Sequence, residues 1–352
     1  MKKSKLNMRI VVVITAILLS TLQVFAGNES KRGNAGGVQV LLPIGARGTA
    51  LGGSNLATTK GLEAIHWNPA GVSHISGTGE AMFSHMNYIA DIGVNYGAIA
   101  INAEDFGTIA LSIKSLDFGN IDVTTEDFPE GTGSTYSPSF SVIGLTYSRM
   151  LTDRISVGAT VKLISENIVR TSATGFGFDA GVQYSFSADS PLPGLKFAVA
   201  LKNLGPSMQY DGEDLERMVL PPNSDPSNVE RPLKFSSQEF ELPSMLDLGV
   251  SYDYSITEEN RVTVNTIFQN SNFGSDEFRG GLEYAFNEQL FLRGGYTYAP
   301  SQGATSTASI FGASAGAGVN LDLGGMVIQV DYAYRETDFF NGTNTLALQL
   351  NF

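Results

Sequence analysis

The chain has 352 residues, no cysteine, 35 acidic against 22 basic residues, and only 16% charged residues. A net charge of −13 leaves no basic face for phosphates, so nucleic acid is not an expected partner; the absence of Cys excludes a disulfide-stapled secreted scaffold and thiolate metal sites. Soluble domains carry about a quarter charged residues, and the shortfall, together with 39 Gly, 21 Phe and 13 Tyr, points to β structure whose exterior does not face water.

Residues 1–26 read as a signal peptide. Lys2, Lys3, Lys5 and Arg9 form a basic region, Ile10 to Leu19 an apolar run too short to span a bilayer, and Val24-Phe25-Ala26 a cleavage site. Loss of the four basic residues takes the net charge from −13 to −17. No Cys follows the cleavage point, which excludes a lipoprotein, and no later run reaches the ~18 apolar residues of a membrane helix.

Residues 27–77 form a second unit that does not alternate. Small residues dominate, in Gly45-Ala46-Arg47-Gly48 and Gly52-Gly53; a short helix is expected around Leu62 to Ile65; Trp67-Asn68-Pro69-Ala70-Gly71 follows, with the only Trp of the chain next to an Asn-Pro turn signal. The tract is too long for a simple linker and too apolar for a disordered tail.

From 78 to 352 the chain breaks into segments of period-two alternation. In Arg154 to Glu166, Ile155, Val157, Ala159, Val161 and Leu163 share one face, while Arg154, Ser156, Gly158, Thr160, Lys162 and Glu166 share the other. The same pattern closes the chain, with Leu346, Leu348, Leu350 and Phe352 against Thr345, Ala347, Gln349 and Asn351. Fourteen strands are predicted, at 78–88, 92–102, 107–117, 138–149, 154–166, 173–187, 194–204, 240–255, 261–270, 278–287, 290–300, 308–322, 325–335 and 343–352. Charges fall in mid-strand, at Lys196, Lys202, Asp247, Asp253, Arg279, Glu283 and Arg293. A soluble sandwich would turn them to bulk water and a barrel would turn them to its lumen, so alternation alone leaves both open.

Connection lengths separate the two. Tight turns are expected after even-numbered strands (Ala103 to Phe106, Met150 to Asp153, Ala188 to Pro193, Ile256 to Asn260, Glu288-Gln289, Leu323-Gly324); the long connections, Phe118 to Ser137, Gly205 to Glu239, Ser301 to Thr307 and Glu336 to Gly342, follow odd-numbered ones, with Asn167 to Ser172 of moderate length. This parity and the even count fit an antiparallel transmembrane β-barrel of about 14 strands in a Gram-negative outer membrane. Tyr252, Tyr254, Tyr284, Phe286, Tyr296, Tyr298, Tyr332 and Tyr334 sit where interfacial girdles belong. Within such a barrel, the place for residues 27–77 is the lumen, as a plug or hatch.

The stretch LLPIGARGTALGGSNLATTKGLEAIHWNPAGVS (Leu41 to Ser73) resembles the N-terminal signature of the PorV/PorQ family, relatives of FadL-type long-chain fatty acid transporters, and DYAYRE (Asp331 to Glu336) followed by a last strand ending in Phe352 is similar to that family too. Arg47, Gly52, Gly53, Trp67, Asn68, Pro69, Ala70 and Gly71 carry the match. The resemblance implies a fourteen-stranded barrel with an N-terminal hatch, and an accessory or shuttle role in type IX protein secretion with secreted cargo or secretion components as partners. The alternative it implies is a FadL-like channel for hydrophobic small molecules. The alternating faces put mostly polar residues inward, which favours the protein-partner reading over an apolar transport site.

Neither an enzyme nor a cofactor protein is expected. His66, His74 and His85 accompany no nucleophile motif and no zinc spacing, and read as solvated or junction-packing residues. Gly175-Phe176-Gly177-Phe178 and Gly312 to Gly318 lie in alternating strands without the helix and Lys of a phosphate loop. Asp117, Asp122, Glu126, Asp127 and Glu130 match no EF-hand spacing and read as a solvated acidic loop.

Overall fold

The computed structural model describes residues 33–187, 189–220, 230–299 and 309–352; the predicted leader and the Ser301 to Thr307 connection lie outside the described residues. Fourteen barrel strands follow in chain order: β1 Gly79–Asn87, β2 Gly93–Asn102, β3 Thr108–Asp117, β4 Ser139–Met150, β5 Ile155–Ile168, β6 Thr171–Ser185, β7 Leu195–Leu204, β8 Met245–Ser255, β9 Asn260–Ser271, β10 Glu277–Phe286, β11 Leu290–Tyr298, β12 Phe311–Asp322, β13 Val327–Thr337 and β14 Thr343–Asn351. Each pairs antiparallel with the next, and β1 pairs with β14, Phe83 opposite Leu348, so the sheet closes. Closure satisfies every strand edge, which an isolated sheet in a bilayer cannot do. The chain end completes the seam: the Phe352 carbonyl accepts from the Thr78 and Gly79 amides at 2.8 and 2.9 Å.

Period-two alternation sets the two faces. Along β3, Thr108, Ala110, Ser112 and Lys114 are buried, whereas Ile109, Leu111 and Ile113 are exposed. Large apolar side chains on the outer wall and polar ones inside invert the soluble pattern, and this inversion identifies a barrel with a lipid-facing exterior. The predicted aromatic positions face outward, and all but Tyr332, which lies mid-strand on β13, are near the ends of their strands. Tyr254, Tyr284 and Phe286 ring the end with tight turns, and Tyr296, Tyr298 and Tyr334 the opposite end. In mid-wall, a groove lined by Phe83, Gly97, Ile99, Ile113, Ile143 and Leu348 faces the acyl chains.

One expectation needs correction. Asn167 to Ser172 is no connection: β5 and β6 continue through it to a two-residue turn at Val169-Arg170, with Val169 at φ 54°. The 205–244 connection folds back onto this longer hairpin, pairing Asp211 and Gly212 with Ser172 and Thr171. It also carries a small hairpin, Glu216–Val219 with Arg231–Lys234.

Residues 33–78 lie inside the barrel. From the end with long connections, where the Gly36 amide donates to the Glu241 carbonyl at 3.1 Å, the chain crosses the lumen to Gly77 beside Phe352 at the tight-turn end. It does so in short pieces: a 3-10 turn at Val38–Leu41, α1 at Ala46–Ala50, a 3-10 turn at Gly61–Glu63, α2 at Ala64–Trp67 and a 3-10 stretch at Pro69–His74.

Candidate functional site

The motif residues Arg47 to Gly71 come together in one packed body. Asn68 caps the Pro69–His74 stretch, accepting from the Ala70 amide at 3.1 Å, while its Nδ2 donates to the carbonyls of Leu56 and of Val182 on β6, at 3.3 and 3.2 Å. Pro69 follows the cap, where its missing N–H is no loss. The Ala70 carbonyl accepts from Ser148 Oγ on β4 at 3.0 Å. Gly52 and Gly53, at φ 65° and 76°, turn the chain after α1, and a Cβ on Gly53 would meet the Trp67 ring at 2.9 Å. Trp67 is buried against α1 with its indole N–H directed at Glu63 Oε1, and its neighbour His66 presents a ring edge to it. Gly71 packs against Ala64 and the Thr59 carbonyl.

Arg47 leaves this body for the wall. Its Nε and Nη2 donate to the two carboxylate oxygens of Glu283 on β10, at 2.8 and 3.1 Å, and its Nη1 to the Thr58 carbonyl at 3.0 Å. Glu283 also accepts from Arg293 at 2.8 Å, and Arg293 reaches Asp331 at 2.5 Å. Burial opposes charge on Arg47, but the Glu283 carboxylate outweighs it and holds the guanidinium above its ordinary value. Glu63 lacks such a partner. Burial pushes its carboxyl up to about 7, opposed by the Gly48 amide that donates to it at 2.6 Å. His74, near Ser156 of β5 at 3.3 Å, is pushed down to about 4 by burial and then by Lys60 and Lys196.

Wall glycines make room for the plugging body. Positions 249, 281 and 295 face inward, and a Cβ at Gly249 would meet Leu56 at 2.8 Å and one at Gly281 would meet the Leu51 carbonyl at 2.7 Å; at Gly295 it would run into the backbone of Leu51 and Gly52. Alternation alone does not mark these positions; the signal available is glycine recurring on the charged face of several strands, here β8, β10 and β11.

Above and below this body the lumen differs in chemistry. At the tight-turn end is a cavity of about 420 Å³, lined by charged residues that include Lys60, Glu80, Lys196, Asp253 and Arg261. At the other end the expectation of polar inward positions fails. Met86, Val94 and Leu116 pack there with Leu42, Tyr88, Ile92, Phe118 and Phe140; beside them Val142, Ile164 and Ala173 pack with Val40 and with Met208 and Leu242 of the long connection. This apolar cap escaped sequence reading because both faces turn apolar near these strand ends, as in Val142-Ile143 and Leu163-Ile164, so the period breaks.

His85 lies on the outer face of β1, bonded to Asn95 at 2.8 Å. The glycine-rich stretches 175–178 and 312–318 lie within β6 and β12. Among the described residues, no three acidic or His side chains are placed to hold a metal ion.

No protein-family model and no curated protein matches the chain. Solved structures do. The CymD monoaromatic hydrocarbon channel matches at 13% identity and a TM-score of 0.56 over 88% of this chain and 97% of that one. The Pseudomonas putida toluene transporter TodX matches at 14% identity and a TM-score of 0.53 over the same shares. A Pseudomonas aeruginosa FadL homologue superposes at 13% identity with a TM-score of 0.48, covering 88% of this chain and 98% of that one. At these identities the likeness concerns the fold alone, a closed antiparallel membrane β-barrel.

Proposed function

We propose that the protein is an outer-membrane channel that admits hydrophobic small molecules, with residues 33–77 as its hatch. The observation that carries this reading is the apolar cap formed by Met86, Val94, Leu116, Val142 and Ile164, which gives a water-insoluble solute a landing site inside a polar lumen. Fold likeness to channels for monoaromatic hydrocarbons supports it. The end with long connections then faces outward and the tight turns face the periplasm. The work done is passage, not catalysis: the wall supplies apolar contacts and the Arg47–Glu283 pair holds the hatch in register.

Uptake of radiolabelled toluene by cells with an intact outer membrane, lacking other hydrocarbon channels and carrying the protein, tests this. Uptake should exceed that of cells carrying Val94→Asp and Leu116→Asp together, with a sugar of similar mass unaffected. Equal toluene uptake in all strains would overturn it.

A second reading, an accessory role in type IX secretion as in PorV-like barrels, is favoured by apolar side chains exposed on the long connections: Phe128, Met218, Leu233, Phe235 and Phe339. Recovery of secretion components with the intact protein, and their loss when residues 213–236 are removed, would support it.

A further inference from the structure

Arg335, on β13, faces the lumen near the apolar cap: the alternate residues Tyr332 and Tyr334 are exposed outside, while Ala333 and Thr337 are buried inside. Its Nε and Nη2 are buried and meet no hydrogen-bond acceptor among the described residues. The lumen's other strand cations are engaged. Lys162 binds Asp179, Lys202 binds Asp247, Arg279 binds Glu277 and Arg293 binds Glu283 and Asp331; Lys114 donates to the Gln39 and Leu42 carbonyls. The inward carboxylate of Glu277 on β10 is held by Arg279 at 2.6 Å.

Nε and Nη2 form one edge of a guanidinium, the edge that takes a carboxylate through two parallel hydrogen bonds. The protein uses that edge elsewhere. On Arg47 it meets Glu283, and on Arg261 it meets Glu288 at 2.7 and 2.9 Å. On Arg335 no described residue fills it. Two more buried donors stand beside it without partners, the hydroxyls of Thr343, directly across the β13–β14 pair, and of Thr345, two residues along the same face. Burying a charge and two hydroxyls unpaired is costly, and the cation–π contact of Arg335 with Phe311, 3.6 Å from guanidinium carbon to ring centroid, returns only part of it. The register slip in β12 between Phe311 and Ser314 sets that ring under Arg335. From Phe311 the surface continues to Tyr88, 6.2 Å between ring centroids, and Tyr88 packs on the cap with Phe118 and Phe140.

We propose that Arg335, with Thr343 and Thr345, is the head-group site for a compact aromatic monocarboxylate whose ring lies along Phe311, Tyr88 and the cap. The proposal rests on the hydrophobic-channel reading and sharpens it: the admitted solute is an aromatic acid in preference to the neutral hydrocarbon of the same shape. A planar acceptor with two oxygens fits the free edge, and four aromatic rings fit the body.

Calorimetric titration of the detergent-solubilised full chain with 4-ethylbenzoate and with 4-ethyltoluene tests it. The acid should bind at least tenfold more tightly than the hydrocarbon. Arg335→Gln should bring the two within twofold by weakening the acid alone, and Arg335→Lys should restore part of the preference. Heat-modifiable gel migration checks that each variant is folded; if Arg335→Gln does not fold, Thr343→Val should weaken the acid severalfold and leave the hydrocarbon unchanged. Hydrocarbon binding with no preference for the acid, or a preference that survives both substitutions, overturns the assignment and leaves the channel reading standing. Binding of neither ligand overturns both.

Discussion

At the residue scale, the luminal segment proposed as a hatch depends on two acidic groups held in opposite ways. Glu283 keeps its charge between Arg47 and Arg293. Removing one partner of a buried charge pair costs roughly 3–5 kcal/mol, and because Arg293 remains on Glu283, Arg47→Ala should fall at the low end of that range, read as faster hydrogen exchange in residues 46–74 with the strands unchanged. Glu63 is the reverse case, its carboxyl raised by burial from about 4.5 to about 7. A neutral Glu63 therefore stabilises the packed hatch below pH 4.5, and that contribution is lost as the pH rises through 7. His74, lowered from 6.5 to about 4, works the other way and withdraws stability as the pH falls from 6.5 to 4. The two oppose each other between pH 4.5 and 6.5. Glu63→Gln keeps the acceptor for Gly48 and removes one slope, so exchange in the hatch, corrected for intrinsic rate, should accelerate with acid only in the variant. Identical profiles would show that Glu63 does not titrate there. Turn chemistry made Asn68-Pro69 legible in the sequence, but not the partners on the wall. Alternation tells which face a residue takes, whereas the meeting of Arg47 with Glu283, 236 positions away, depends on how the barrel closes.

At the element scale, strand number and turn parity were readable because lipid outside and a polar lumen inside force a strict period of two. Reading failed where that force relaxes. Asn167 to Ser172 lies beyond the lipid-facing band, where β5 and β6 pair with each other and with Asp211-Gly212, so its polarity looked like a loop. The apolar cap failed for a related reason: inward Val142 and Ile164 stand beside outward Ile143 and Leu163, and pairs of aliphatics carry no face information. Inward glycines are the counterpart of the hatch. Gly295→Val, whose side chain would enter the space of Leu51 and Gly52, should loosen the hatch, raising hydrogen exchange in residues 46–74 at least tenfold while the folded barrel keeps its gel mobility. Unchanged exchange would mean that the close approach at Gly295 does not hold the hatch.

At the scale of the whole molecule, three layers stack along the barrel axis: an apolar cap, the packed N-terminal segment and a charged cavity of about 420 Å³. Composition foretold the lipid-facing exterior, since 16% charged residues cannot dress a water-facing surface of this size. It does not separate transport from secretion, because the feature that supports the proposed transport role, an apolar patch at one end of a polar lumen, appears only once strands from β1 to β6 lie side by side. Residues 46–72 are mostly buried inside the barrel between the cap and the cavity, and on the proposed reading a solute passing along the axis requires this segment to yield. Planar-bilayer conductance tests this most directly. The intact protein should be electrically silent, and removal of residues 33–76 should open a steady pore through the charged lumen, with the barrel still folded by gel mobility. A steady pore in the intact protein, or silence after the removal, would contradict a lumen closed by its own N-terminal segment.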